Sequence, residues 1–334
     1  MARRPDLDQA KGLAIILVVF GHIVARSDPA GVFWYEPLRR AVYAFHMPFF
    51  LYLSGMAAAL ALAEGGAALP PAAWPDFALA RARRLLVPFF GLGLCIVAAK
   101  FCAARVMFVD NAPSGILPAL DGLFWHTAAS PARSIWYAYV LFFVSVAALP
   151  CLWLCGGRVW LFLGVCAAAY CFSPPPFMYA DELARYAVFF ALGLAAGQAD
   201  ASWLNFVDRH WRWLAAVFVG LLSWIVLKNN FISFPVTLLF TGVISMPVLH
   251  GLLRTLPEHN AQIFLYLGRY SFMIYLFNTI FIGLAKGVLL HATSWDGTHF
   301  LPFAVALGCS GLFGPIILKH YAFRRARLLD RMTN

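Results

Sequence analysis

Charge is what this sequence has least of. Its 25 Lys and Arg and 15 Asp and Glu make up 12% of 334 residues, about half the share of a soluble globular domain. That shortage excludes a cytosolic enzyme, a disordered chain and a nucleic-acid binder, the last in spite of a net charge of +10. Cysteine is sparse and unpatterned. The seven residues at 95, 102, 151, 155, 166, 171 and 309 lie within or beside apolar stretches, and no pair stands at zinc-ribbon spacing from a second pair. They read as small buried hydrophobes, and no metal is expected. No internal repeat of transporter type stands out between the two halves.

What fills the chain instead is apolar: 62% of residues are hydrophobic and the mean hydropathy is +0.77. A bilayer core about 30 Å thick needs about 20 such residues of helix. By that measure the sequence predicts an all-α polytopic membrane protein of about ten transmembrane helices, at roughly 12–27, 40–62, 85–107, 134–155, 158–175, 183–199, 213–229, 234–253, 263–290 and 300–319. The ninth is long enough to be tilted or broken. Pro70-Pro71, Pro174-Pro175-Pro176 and Gly156-Gly157 fall between spans, where turn residues belong. One membrane domain over 1–334 is the simplest partition.

An even number of spans puts both termini on one side. With that side inside, fifteen Lys and Arg fall in cytoplasmic segments and eight in outer ones, so the positive-inside rule sets both termini in the cytoplasm. The basic start and the apolar run GLAIILVVFGHIVA imitate a signal peptide. Acids before the run, a histidine within it and nine further spans argue for a retained helix.

Ionisable groups inside spans are costly and ask for a partner, a watery cavity or a role. Lys11 and His22 are eleven residues apart, about 20° past three full helical turns and about 16 Å along the axis, so one helix face carries a cation at its inner end and an imidazole deeper in. Asp8, three residues before Lys11, can pair with it. A snorkelling lysine and a histidine bonded to a neighbouring helix would be the plainer account. In FHMPFFLYLSG (45–55), His46 sits near the outer third of the second span, Pro48 marks a kink, and Ser54-Gly55 reads as a close helix contact. Arg81 and Arg84 share a face one turn apart, with Arg83 adjacent. Such guanidiniums suit anionic lipid or the oxygens of a phosphate. Trp136 and Tyr137, in SIWYAYVLFF, fit an interfacial belt or a substrate wall. Asp181, Glu182 and Arg185 read as a charge-paired helix start. Arg269, Ser271, Tyr275 and Asn278 put more polar groups in one span than packing requires.

On these residues the chain resembles the membrane-bound acyltransferase 3 family, most of all its fucose 4-O-acetylase-type sugar O-acetyltransferases. The matching elements are Lys11 to His22 within DLDQAKGLAIILVVFGH, the FHMPFFLYLSG helix, the Arg81-x-x-Arg84 pair running into Pro88, and SIWY with the later LGRYSFMIYL. The resemblance implies transfer of an acyl group from cytoplasmic acyl-CoA to a carbohydrate or glycolipid hydroxyl at or across the membrane. It makes His22 the essential histidine, sets Lys11 where arginine is commoner, and gives Arg81 and Arg84, with Arg83 beside them, to the donor. Asn278 stands where relatives often have histidine, so proton transfer is not expected there.

The residues fit that chemistry. Acyl-CoA has phosphates at one end and a thioester at the tip of a thin arm, so its site needs cations at the cytoplasmic mouth and a base far inside. The expected catalytic residues are His22, Lys11 and His46; Lys11, Arg81, Arg83 and Arg84 bind the donor; Trp136, Tyr137 and Asn278 contact the acceptor. The small residues Gly12, Ala14 and Gly21 favour acetyl-CoA. The bilayer is expected to be the bacterial inner membrane. A secondary transporter or flippase using His22 and Lys11 as a proton or anion site is the alternative from another class.

Overall fold

A computed structural model describes residues 4–24, 31–64, 69–105, 114–228 and 233–323. Parts of the expected spans at 25–27, 106–107 and 229, and the topology-setting Arg3, Arg26, Arg324, Arg325, Arg327 and Arg331, lie outside the described residues. Thirteen α-helices are described: α1 (Pro5–His22), α2 (Tyr35–Tyr43), α3 (His46–Glu64), α4 (Trp74–Ala103), α5 (Ile116–Phe124), α6 (Trp136–Leu154), α7 (Val159–Tyr170), α8 (Ala180–Gln198), α9 (Asp200–Lys228), α10 (Phe234–Arg254), α11 (Glu258–Arg269), α12 (Ser271–Leu289) and α13 (Phe300–Tyr321). Extended pairing among the described residues is limited to one isolated bridge, His126 to Phe177.

Among the described residues, seven segments are long and apolar enough to cross a membrane: Tyr35–Leu62, Pro71–Cys102, Arg133–Leu154, Asp200–Lys228, Phe234–Arg254, Ser271–Leu289 and Phe300–Tyr321. Three of the ten expected spans fall short of that measure. α1 packs Asp6, Asp8 and Lys11 into its 18 residues, α7 has only 12 residues, and α8 opens on Asp181, Glu182 and Arg185. The long apolar helices turn much of their surface outward. In α9 only 11% of the most apolar window is buried, which water would not tolerate and lipid does. The cysteines follow that pattern: Cys166 is buried, but Cys95, Cys102, Cys171 and Cys309 are exposed. The expectation of seven buried thiols is corrected, because a thiol is apolar enough to face outward from a membrane helix.

Two expected spans are interrupted. The second breaks after Tyr43 and resumes at His46, so His46 opens α3 rather than lying within a continuous helix. Pro48 then falls in the first turn of α3, where its missing N–H costs nothing and no kink is needed. The ninth breaks at Tyr270, which leaves Arg269 at the end of α11 while Ser271, Tyr275 and Asn278 ride on α12. Local chemistry sets the other ends. α1 starts with Pro5 in its first turn and carries Asp6 and Asp8 there, where a fixed φ and negative charge both suit a helix N-terminus. α6 ends at Gly156 and Gly157, with φ of 60° and 77°, and the Gly157 N–H donates to the Leu152 carbonyl at 2.8 Å.

The chain divides into two compact units, one of Met1–Leu53 with Ala199–Asp330, the other of Ser54–Gln198. In the first, α1 packs against α2, α10, α11, α12 and α13. A Cβ on Gly12 would overlap the Phe264 carbonyl, and one on Gly268 the Asp8 carbonyl. α1 and α11 therefore meet backbone to backbone, a packing that small residues permit in apolar surroundings. In the second unit α4 packs on α6, and α7 and α6 pack on α8. Gly55 lies against the Phe190 carbonyl of α8, the close contact expected at Ser54-Gly55.

Candidate active site

In the first unit, α2 clamps the last turn of α1. The Tyr35 hydroxyl donates to the Phe20 carbonyl and the Tyr43 hydroxyl to the Gly21 carbonyl, the latter at 2.8 Å. Tyr35, Arg39 and Tyr43 follow one another at four-residue spacing on one helix face. The Arg39 guanidinium lies over the Tyr43 ring at 5.3 Å and donates to Glu36 at 2.6 Å. His22 closes α1 within electrostatic range of Arg39 and His46. The His46 ring is buried, its centre 5.0 Å from that of Tyr43. Its Nδ1 stands 2.9 Å from the Val42 carbonyl. A carbonyl can only accept, so Nδ1 carries a proton, and in the neutral ring Nε2 is then the basic nitrogen.

Tyr43 thus packs on the His46 ring and the Arg39 guanidinium while its hydroxyl bonds the residue before His22. Lys11 is on the same helix as His22, half-buried, with Nζ 4.0 Å from Asp8 as expected. Asn278 is buried in α12, where its amide donates to the carbonyls of Ile274 at 3.0 Å and Tyr275 at 2.8 Å. Its Oδ1 has no hydrogen-bond partner among the described residues. A donor group brought by a ligand would satisfy that acceptor.

The second unit holds the other cluster. Arg81 and Arg84 on α4 lie within electrostatic range of the buried Tyr137, whose hydroxyl is 2.6 Å from Ser54 Oγ. The Arg81 guanidinium also covers the Phe77 ring at 5.2 Å. Arg83, about 200° round the helix from Arg81, is exposed. Trp136 and Tyr137 part company. Trp136 packs on Tyr186 of α8 with ring centres 4.7 Å apart, while Tyr137 faces the arginines.

A third group, again in the first unit, gathers near the start of α1. His250 of α10 is fully buried and uses both ring nitrogens. Nδ1 lies 3.0 Å from the Tyr52 hydroxyl and Nε2 3.2 Å from Asp6 Oδ2. The Trp203 indole N–H donates to the same Tyr52 oxygen at 2.7 Å, so the Tyr52 proton goes to Nδ1 and Nε2–H goes to Asp6. Arg4 forks onto Asp6 at 3.0 and 2.8 Å and reaches Asp200 at 2.9 Å. Arg254 forks onto Asp208 at 2.8 Å through both nitrogens. Burial alone would raise the Asp6 carboxyl, but the hydrogen bonds from His250 and Arg4 outweigh it and hold Asp6 well below the usual carboxylate range.

Residues 4–320 match the acyltransferase domain of one protein family, which covers almost all of the chain and both compact units. The chain belongs to the acyltransferase 3 family. Among curated proteins it is 25% identical to the nodulation protein NolL of Mesorhizobium japonicum over 225 residues, 66% of this chain and 54% of that one. NolL of Sinorhizobium fredii is 44% identical over 52 residues, 14% of each chain. The chain therefore spans about half the length of the Mesorhizobium relative. No solved structure matches it.

The chain is thus a member of the acyltransferase 3 family that carries, among its described residues, seven apolar helices of membrane-crossing length. Sequence reading missed three groups in it. Arg39 and Tyr43 straddle the expected start of the second span at 40, which hides the separate helix α2. His250 lies inside the span at 234–253, where the cost of an intramembrane ionisable group is the signal that could find it. Lys319, near the end of α13, is buried with Nζ 5.7 Å from the Tyr270 ring centre. It had been counted only as a topology charge.

Proposed function

We propose that this acyltransferase moves an acyl group, acetyl by preference, from cytoplasmic acetyl-CoA to a hydroxyl of a carbohydrate or glycolipid at or across a bacterial inner membrane. In this reading 1–334 works as one membrane domain with ten spans and both termini in the cytoplasm. The observation that carries it is the clamped end of α1, where Tyr43 bonds the Gly21 carbonyl beside His22 and packs on the His46 ring, in a chain of this family.

His22 acts as general base. Neutral imidazole takes the proton of the acceptor hydroxyl as that oxygen attacks the thioester carbonyl carbon, a role worth about 10²–10⁴-fold. The new C–O bond gives a tetrahedral oxyanion; its collapse breaks the C–S bond, and the imidazolium returns its proton to the departing thiolate. Arg39 supplies positive charge of the sign the oxyanion needs, and Tyr43 holds that guanidinium by stacking beneath it. His46, anchored through Nδ1, offers Nε2 to orient the acceptor hydroxyl. Lys11, Arg81 and Arg84 hold donor phosphates, with Arg83 as an outer contact, and Tyr137, Trp136 and Asn278 contact the acceptor. Asn278 Oδ1 is suited to receiving a hydroxyl.

Purified protein in nanodiscs, given labelled acetyl-CoA and glycan acceptors, tests this. Wild type should form an acetyl ester, and His22→Ala should lose transfer while keeping its thermal stability. Unimpaired transfer by His22→Ala overturns the assignment of the base. A ping-pong pattern with a trapped acyl-enzyme would replace direct transfer by an acyl-histidine route. Movement of a substrate with no acyl transfer would favour a transporter.

A further inference from the structure

Two loops of the second unit are interlocked. The Met178 N–H donates to the Trp125 carbonyl at 2.8 Å, the Thr127 hydroxyl to the Pro176 carbonyl at 3.1 Å, and the Tyr179 N–H to the Thr127 hydroxyl at 3.0 Å. Arg133 bonds Glu182 at 2.9 Å, and Arg185 approaches the other Glu182 oxygen at 3.4 Å. This stitching holds the Trp125 and Phe177 rings nearly parallel, 15° apart in plane and 6.1 Å between centres. Both remain about half open, at 49% and 45% exposure.

The arrangement is strained. Met178 and Tyr179 are the only non-glycine residues at positive φ among those described, at 50° and 56°. Side chains adopt that left-handed backbone only at a cost in energy. An interfacial aromatic belt needs no such strain, because its rings simply ride on helix surfaces. Polar groups stand beside the ring pair. Asp121 and His126 form an exposed pair at 2.8 Å, with the His126 ring edge-on to Phe177. Asp181, next to Glu182, keeps a buried Oδ1 with no hydrogen-bond partner among the described residues.

We propose that these two loops form a carbohydrate-binding face that receives the acceptor. A pyranose ring lays its C–H face on Trp125 and Phe177, and its hydroxyls donate to Asp181 and accept from Arg133. The chemistry is that of a neutral sugar: aromatic rings take its apolar face, carboxylates take hydroxyl protons, and the unpartnered Asp181 Oδ1 is met by a hydroxyl. An anionic ligand would meet Asp121, Asp181 and Glu182 with the wrong sign. The inference rests on the proposed acyl transfer to a carbohydrate and adds where the acceptor is held.

The test uses wild type, Trp125→Ala, Trp125→Tyr, Phe177→Ala and Asp181→Asn in nanodiscs, with p-nitrophenyl pyranosides of the common hexoses as probes. Saturation-transfer NMR reads sugar binding, and labelled acetyl-CoA reads transfer. Trp125→Ala and Asp181→Asn should raise the acceptor KM at least tenfold and weaken saturation transfer to the ring C–H protons. The acetyl-CoA KM should stay within twofold, and Trp125→Tyr should restore most of the loss. Transfer by wild type with an acceptor KM unchanged in Trp125→Ala, Phe177→Ala and Asp181→Asn overturns this face and leaves the enzyme reading standing. Sugar binding lost in Trp125→Ala, with no acetyl transfer by wild type, supports the face and overturns the reading. Neither binding nor transfer by wild type overturns both.

Discussion

The two ends of α1 are built on opposite plans. At its start every nitrogen of His250 has a partner, Asp6 takes bonds from His250 and Arg4, and Tyr52 is held between Trp203 and His250. At its end His46 spends one nitrogen on a backbone carbonyl and keeps the other, while the clamping hydroxyls of Tyr35 and Tyr43 bind backbone rather than the histidines. A fully bonded buried network has nothing left to offer a substrate and serves to fix geometry. A histidine whose ring is anchored at one nitrogen and open at the other is equipped for chemistry. The lesson is that burial alone does not single out a reactive histidine in a membrane. His250 is the more buried and better bonded, and for that reason the poorer candidate.

The largest effect expected separates the ends by activity. His22→Ala should lower acyl transfer by about 10²–10⁴-fold, equivalent to about 3–5 kcal/mol of barrier, with thermal stability preserved. The comparison breaks if His22→Ala unfolds the protein or leaves transfer intact. The reverse holds for His250→Ala, which removes the Nδ1 partner of the buried Tyr52 hydroxyl and one of the donors to Asp6. It should cost about 3 kcal/mol of stability, read as a lower midpoint of thermal or denaturant unfolding in detergent. A variant that keeps its midpoint but loses transfer would move His250 to the reactive side.

A smaller effect tests the clamp. Tyr43→Phe removes one hydroxyl from the Gly21 carbonyl but keeps the ring against His46 and Arg39. It should cost about 1 kcal/mol. If the clamp sets the reach of His22, kcat falls severalfold at unchanged acetyl-CoA KM, whereas a purely structural bond would lower the midpoint alone.

How much of this was legible depended on where each signal lay. Spans with sustained apolarity were readable because a bilayer permits little else. The breaks at Ala44 and Tyr270 were less so, since neither is made by a glycine or a proline at the joint. Pro48 was visible, but its consequence depended on a helix start set by tertiary packing. Of the site, the helical period of α1 put Lys11 and His22 on one face and Asp8 within reach of Lys11, and only that last pairing is a contact that the sequence alone specified. Arg39 with His22, and His250 with Asp6, join residues 17 and 244 positions apart. No local pattern encodes such pairs. Charge scarcity offers a signal for His250 all the same, since an imidazole in an apolar span must find a partner.

The smallest effect is a null result that sharpens the contrast. Asp6 is held below the usual carboxylate range by His250 and Arg4. A depressed carboxylate contributes stability that is fully present above its unfolded value, about 3.9, and is lost only as pH falls through the lower folded one. Between pH 8 and 5 the Asp6 contribution should therefore stay flat. Acid unfolding should set in only below about pH 4, and Asp6→Asn should flatten that acid limb while lowering the midpoint at neutral pH. If the midpoint instead falls between pH 8 and 5, the bonded end is titrating within that range, and the division between a geometric end and a reactive end fails.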